Sequence, residues 1–443
     1  MSSDGSMNGS NNGSYNELKV VIHERLLDSL DLSRANALDD RVLKNECEQR
    51  VIQMLDGVEP PIPHEDREKI RVEILNEVFG LGPLQALMMD STISDILVNG
   101  PSDIFIEREG RLERVPLAFR DTDHVLNVIR RIVRFSGRRL DEGSPMVDAR
   151  LPDGSRVNAV IAPLALDGPL LSIRRFGSHE FTLKALVERH MLAQDMADFL
   201  QVCVANRLNI VISGGSGAGK TTLLNALSES ILDDERVVTI EDAAELKLRQ
   251  NHVVRLETRP PNLEGAGEIT TRDAVRNSLR MRPDRILVGE CRGAEAFDML
   301  QAMNSGHSGS MTTMHANGSA DAFQRLESML CMAGMEVPVS VLREYVASAV
   351  DLIVQLERMG GGIRRVTAVS EVRPIEGGSA QIKDVYRYRL IGENSNEGYF
   401  ESTGYEPAFM ERFARLGIRL GPEAFAHRRL ASVSAPTSGI EGQ

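Results

Sequence analysis

One stretch constrains this chain more than any other. Leu208 to Leu224, LNIVISGGSGAGKTTLL, joins an apolar, β-rich run to a helical run, and Gly214 to Thr221 between them fits GxxxxGK(S/T). Glycines at that junction keep side chains away, so consecutive backbone N–H groups can turn inward on phosphate oxygens while the following helix points its positive end at them. The spacing predicts a nucleoside triphosphate cradled by Gly214, Gly215, Ser216, Gly217, Ala218, Gly219, Lys220, Thr221 and Thr222. Lys220 would reach the β/γ-phosphates and Thr221 would ligate Mg²⁺. The bland alternative is a glycine turn with an exposed lysine, and the flanking strand and helix patterns argue against it.

At 443 residues the chain exceeds one small core, and length alone suggests about three domains. Lys+Arg 51 against Asp+Glu 64 leaves a formal charge of −13. That charge repels a polyanion over most of the surface, so nucleic acid is not an expected partner unless a local basic groove exists. Cys47, Cys203, Cys291 and Cys331 form no CxxC pair, which disfavours a zinc site or disulfide framework and points to reduced thiols. The first residues, MSSDGSMNGSNNGSYNE, lack the basic and apolar parts of a signal peptide. No apolar run approaches the ~20 residues that span a bilayer. The expectation is a cytoplasmic protein that meets a membrane only through a partner.

Composition and periodicity divide the chain. Residues 1–16 are Ser/Gly/Asn-rich and expected to be disordered. Residues 17–64 carry apolar stripes at helical spacing, such as Val42, Cys47, Val51 and Leu55, and end among Pro60, Pro61 and Pro63. An α+β domain is expected over 65–176, with a hairpin through Glu109-Gly110, a helix from Asp123, and strands near 156–161 and 170–174. After a linker at 177–182, strands and helices alternate from 183 to 375 in the manner of an α/β nucleotide-binding domain. A small appendage follows over 376–431, then a loose tail at 432–443.

A phosphate loop binds nucleotide without by itself breaking it; hydrolysis needs a group that orients water. Arg285 to Glu290, RILVGE, supplies an apolar strand ending in a carboxylate. Where an Asp often precedes that Glu, this chain has Gly289, so Glu290 is the candidate base. A second strand, VVTIED, ends in Glu241 and Asp242, which could supply the Mg²⁺ or water contact that Gly289 cannot; the alternative is an Asp242 helix N-cap. In AMNSGHSGSMTTMHAN, His307 and His315 lie eight apart, which is not the i, i+4 spacing of a helical zinc site. Either is a structural histidine or a sensor of the γ-phosphate. Arginine concentrates before the linker, at Arg130, Arg131, Arg134, Arg138, Arg139, Arg150, Arg156, Arg174 and Arg175, an interval without lysine. Guanidinium groups suit triphosphate recognition, and one donated across a subunit boundary contributes ~10³ to 10⁵ in rate. Salt-bridged or solvated arginines are the alternative at each position.

Together, GGSGAGKTT, TIEDAAEL, LRMRPDRILVGECRG and NSGHSGSMTTMHAN resemble, in order, the Walker A, Asp box, Walker B and His box of the ATPases that drive type II secretion, type IV pili and type IV secretion. Within that superfamily the likeness is nearest to the CpaF motors of Tad/Flp pili. It is carried by SDILVNGPSDIFIEREGRL and by the segments GRRLDEGSPMVDARLPDGSRVNAV and SLRMRPDRILVGECRGAEAFDMLQAMNSGHSGSMTTMHAN, and it covers about residues 65–375. The resemblance implies a homohexamer that hydrolyses ATP with Mg²⁺ at the cytoplasmic face of the inner membrane, docked on polytopic platform proteins. It also implies a RecA-like ATPase domain preceded by a PAS-like α+β domain. Glu290 becomes the catalytic glutamate, Glu241 part of the Asp box and a metal ligand beside Thr221, and His315 part of the His box. In-trans arginines are sought among Arg138, Arg139, Arg150, Arg156, Arg174 and Arg175. Type II motors commonly carry a four-cysteine zinc module that this chain lacks, which favours a type IV-like secretion motor or one that assembles a pilus, retracts it, or both.

Three rival classes share the core. A P-loop DNA translocase or helicase would couple turnover to DNA through a basic pore, against which the net acidity argues. A nucleotide-gated scaffold without hydrolysis would have no need of Lys220, Thr221 and Glu290 together. An ABC-type ATPase would carry an LSGGQ-like signature ahead of Glu290, where SLRMRPDR stands.

Overall fold

A computed structural model describes residues 18–23, 25–26, 29, 40–59, 62–108, 110–135, 138–175, 182–261, 265–334, 337–375, 379–392 and 397–433. The expected loose terminus at 1–16, the linker residues 177–181 and most of the tail, 434–443, lie outside them. The chain separates into two compact units, Met1–Gly177 and Ser178–Gln443.

In the first unit the helices Asp40–Asp56 and His64–Phe79 pack with helical residues near Leu18. Ile22, Leu26, Cys47, Val51, Ile70 and Ile74 are fully buried between them. The boundary drawn at 64/65 therefore falls at the start of a helix that completes this helical core. Beyond it lies a six-stranded antiparallel sheet, built from β1 (Ile93–Asn99), β2 (Asp103–Arg108), β3 (Arg111–Arg114), β4 (Met146–Arg150), β5 (Arg156–Val160) and β6 (Leu170–Arg174). Its order is β3-β2-β1-β6-β5-β4. The helix Thr122–Phe135 lays Val125, Val128, Ile129 and Ile132 against alternate strand residues such as Ile96, Val98, Ile104 and Ile173, so one sheet face is core.

The second unit is organised by ten strands: β7 (Ile210–Gly214), β8 (Val237–Glu241), β9 (Val253–Glu257), β10 (Arg285–Val288), β11 (Met311–Met314), β12 (Leu352–Arg358), β13 (Arg364–Ile375), β14 (Ser379–Leu390), β15 (Gly398–Ser402) and β16 (Arg428–Val433). They follow the order β16-β15-β14-β13-β12-β7-β11-β10-β8-β9. From β12 to β9 the pairing is parallel. These strands are apolar because both of their faces are covered. In β7, Ile210 and Ile212 enter one core while Val211 enters the other, and β10 divides in the same way, Leu287 to one side and Ile286 and Val288 to the opposite one.

β13 to β16 then add to the sheet antiparallel. Residues 379–433 extend the same sheet across the boundary expected at 375/376, and Tyr386, Phe400 and Phe413 share a core with Phe199. No sequence signal marks strand β9, whose VVRLE is half-exposed and mixed in polarity. Among the described residues no helix is long and apolar enough to cross a membrane.

Candidate active site

Parallel pairing brings the carboxyl ends of β7, β8, β10, β11 and β12 to one edge. Met314 stands opposite Ser213, Leu356 opposite Gly214, and Val288 opposite Ile240. The phosphate loop leaves β7 at Gly214, where a Cβ would lie 2.5 Å from the Leu356 carbonyl oxygen, so only glycine fits. At Gly215 a Cβ would meet nothing within 4 Å. Nothing in the chain requires glycine there, and the bare position fits the close approach of a phosphate. Gly219 takes φ 95° and caps the helix Lys220–Ser228, whose first turn holds Lys220, Thr221 and Thr222. Ser216, Gly217 and Ala218 form the turn between, with the Ala218 N–H on the Gly215 carbonyl at 3.3 Å.

Lys220 is buried, and its ammonium donates to the Gly214 and Gly215 carbonyls at 3.1 and 3.0 Å. A long contact of 3.5 Å joins its Nζ to His315 Nδ1. His315 Nε2 lies 2.8 Å from Glu290 Oε1, and Arg292 Nη2 lies 2.7 Å from Glu290 Oε2. The second nitrogen of Arg292 reaches Asp242 Oδ2 at 3.1 Å. Lys220, His315, Glu290, Arg292 and Asp242 thus form one polar chain. Glu290 Oε1 is buried with no hydrogen-bond partner, so its approach to His315 Nε2 is a contact and not a hydrogen bond.

Environment sets the charges. Burial alone would raise Glu290, but the Arg292 hydrogen bond and charge, with His315 and Lys220, outweigh it and hold the carboxyl below its ordinary value. Burial, and next the Lys220 charge, depress His315, which favours neutral imidazole. Lys220 is lowered by burial against the pull of Glu290. The thiol of Cys291, buried next to Glu290, is pushed up to about 12 by burial and is inert.

Glu241 ends β8, and its Oε2 accepts from the Glu245 and Leu246 N–H groups at 2.8 and 3.0 Å. Oε1 is buried with no hydrogen-bond partner. Burial raises the carboxyl above its ordinary value despite those two donors. A Cβ at Gly289 would sit 3.0 Å from Glu241 Cγ, so the missing side chain at 289 is what admits Glu241. An orphaned carboxylate oxygen on the same strand edge as the phosphate loop's Thr221 suits Mg²⁺ or its water shell. Asp242 caps no helix: residues 243–249 are irregular, and its Oδ1 instead accepts from Thr258 and Thr271 at 3.2 and 3.3 Å. The two histidines separate cleanly. His315 follows β11 at the carboxyl edge, whereas His307 precedes it, with its backbone N–H on Ala302 and its carbonyl receiving Ser310 Oγ.

The arginines expected to act belong to the first unit. Arg150, Arg156 and Arg174 stand directly opposite one another across β4, β5 and β6, and Arg174 pairs with Asp95 at 3.0 Å. Arg138 and Arg139 are exposed, and Arg139 pairs with Asp141. Arg175 donates to the Asp90 and Ile93 carbonyls, which ties the sheet to the loop before β1. Sequence reasoning passed over Arg292, Arg358 and Arg364. Arg364 Nε donates to the Gly217 carbonyl at 2.9 Å, and Arg358 lies beside the same glycine. Their one signal was position, two residues after Glu290 and either side of the Gly360–Gly362 turn.

Fold and edge together define a phosphate-loop nucleotide-binding protein. A family model described as type II/IV secretion system protein matches residues 77–372. The chain belongs to that family. It is 38% identical over 307 residues to a putative conjugal transfer protein of Mycobacterium tuberculosis, covering 68% of this chain and 87% of the relative. With the type IV secretion system protein PtlH of Bordetella pertussis it shares 35% over 314 residues, 65% of this chain and 92% of the relative. The crystal structure of the VirB11 ATPase of the Brucella suis type IV secretion system, in complex with sulphate, matches at 29% identity and TM-score 0.36, over 67% of this chain and 97% of that one.

Proposed function

We propose that the protein is a Mg²⁺-dependent ATPase whose hydrolysis drives a pilus or secretion machine. The observation that carries this is the polar chain at the carboxyl edge, which sets Lys220, His315 and Glu290 beside the phosphate loop within one unit.

In this reading the loop N–H groups and Lys220 hold the β/γ-phosphates. Glu290 orients a water molecule and takes its proton as the water oxygen attacks the γ-phosphorus; the bond to the β-phosphate oxygen breaks, and ADP and phosphate leave. His315, neutral and between Lys220 and Glu290, reports whether the ammonium has turned to a γ-phosphate. Thr221 and Glu241 would hold Mg²⁺, which when bound neutralises charge on the phosphate oxygens. Arg150, Arg156 and Arg174 stand in register as a row across β4, β5 and β6. That row, with Arg138 and Arg139, is the source of guanidinium groups donated to a neighbouring protomer's nucleotide. Arg175, engaged by two carbonyls, supports the sheet in place of that task.

The finer reading is a hexamer of RecA-like domains, each preceded by a PAS-like domain, on polytopic platform proteins at the cytoplasmic face of the inner membrane, powering a Tad/Flp-type pilus of the CpaF kind. The quoted motifs and the family support it. The relatives named for conjugal transfer and for type IV secretion support the same motor with a substrate other than pilin. Two readouts on the full chain test the proposal. Phosphate release from Mg²⁺-ATP, with six-fold particles imaged in an ATP analogue, is expected. Well-folded monomer under all nucleotide conditions would overturn the ring and its arginines, and many-fold stimulation by DNA would move the assignment to a translocase.

A further inference from the structure

Hydrolysis as proposed gives Arg292 no task. Arg292 follows Glu290 by two residues, and its guanidinium fork bridges Glu290 Oε2 at 2.7 Å and Asp242 Oδ2 at 3.1 Å, two acids at the ends of different strands. We propose that Arg292 is a positioning residue: anchored on Asp242, it fixes the Glu290 carboxylate in the orientation from which that group acts on water. This rests on the base role assigned to Glu290.

Glu290 is a long side chain at a strand end, and a base loose by about 0.5 Å loses its alignment. Arg292 holds Glu290 Oε2 by a hydrogen bond, while Oε1 faces His315 Nε2 at 2.8 Å with no hydrogen-bond partner. Each carboxylate oxygen accepts more than one hydrogen bond, so the Arg292 hold leaves room for water. Arg292 suits the task because a planar fork fixes direction where an ammonium supplies only charge. Asp242 gives the fork its second point, and Thr258 and Thr271 in turn steady Asp242. The arginine side chain is 62% exposed, and ion pairs at that exposure add little stability, so the arrangement serves orientation and not folding. The charged groups facing Glu290 are Arg292, His315 and Lys220, with Asp242 behind Arg292 and Glu241 behind Gly289.

The test compares Arg292→Gln, Arg292→Lys and Asp242→Asn in the full chain by steady-state ATP hydrolysis. Arg292→Gln is expected to lower kcat about 10- to 100-fold, the scale of a misplaced group, with KM for ATP and Tm unchanged. Its acid limb of kcat should move to higher pH, because burial then acts on Glu290 with the strongest opposing cation gone. Arg292→Lys keeps the charge, so the limb stays while kcat remains low. Asp242→Asn falls in the same direction, and the double variant is no slower than Arg292→Gln alone. Wild-type kcat in Arg292→Gln, a rise in KM alone, or additive losses in the double variant would each overturn the assignment. A Glu290→Gln protein that still turns over would remove the base itself, and Arg292's task with it; an inactive Glu290→Gln beside a fully active Arg292→Gln would remove Arg292 alone.

Discussion

The two ends of the parallel strands treat charge in opposite ways. At the amino ends, Arg285 is fully buried; its guanidinium makes two bonds of 2.7 Å to Glu235 and a third to the Val204 carbonyl. Asn209, on the same side, donates to the Ala349 carbonyl and accepts from the Gly309 and Ser310 N–H groups. At the carboxyl ends the ionic groups run from buried Lys220 and Glu241 to exposed Arg292, linked through their contacts, and one oxygen each of Glu241 and Glu290 has no hydrogen-bond partner. A charge that is sealed and satisfied holds strands together, while one left open to exchange does chemistry.

Substitutions at either end sharpen this contrast. The largest expected effect is structural: Glu235→Ala leaves Arg285 buried and uncompensated, a loss of about 3–5 kcal/mol, read as a fall in Tm with ATP turnover per folded molecule retained. Lys220→Ala, at the other end, should weaken ATP binding by about 10- to 100-fold, the equivalent of a lost charged hydrogen bond of roughly 1.5–3 kcal/mol, with little change in Tm. The smallest effect is the most diagnostic. Glu241's folded pKa is raised by burial above its unfolded value, so its ionised form opposes folding above that pKa and the burden lifts as pH falls through it. Glu241→Gln should therefore stabilise the nucleotide-free protein by about 1 kcal/mol at neutral pH, with the gain shrinking in acid and hydrolysis lost. Lower stability in that variant at neutral pH would place Glu241 with the scaffold.

What the sequence disclosed follows the same division. The phosphate loop is legible because its demands are local: φ at Gly219, clearance at Gly214, a lysine and threonine at fixed offsets. Strands β7, β8 and β10 are legible because burial on both faces makes them apolar runs. Hidden were features that arise only when distant segments meet. The Arg285–Glu235 pair spans 50 residues, β9 lacks an apolar run, and β14 to β16 join the sheet by pairing no local pattern announces. For Asp242 the Asx-type capping pattern was misleading, since Arg292, Thr258 and Thr271 engage its carboxylate. Of the two histidines, spacing leaves the choice open, the family resemblance names His315, and the sheet sets it beside Glu290.

The central claim is that the carboxyl edge breaks ATP with Glu290 as the base. Binding of an ATP analogue and release of phosphate, measured on the same preparations of wild-type and Glu290→Gln protein, test it most directly. The account predicts unchanged binding with phosphate release lowered ~10²-fold or more; near-normal release in the variant would contradict it.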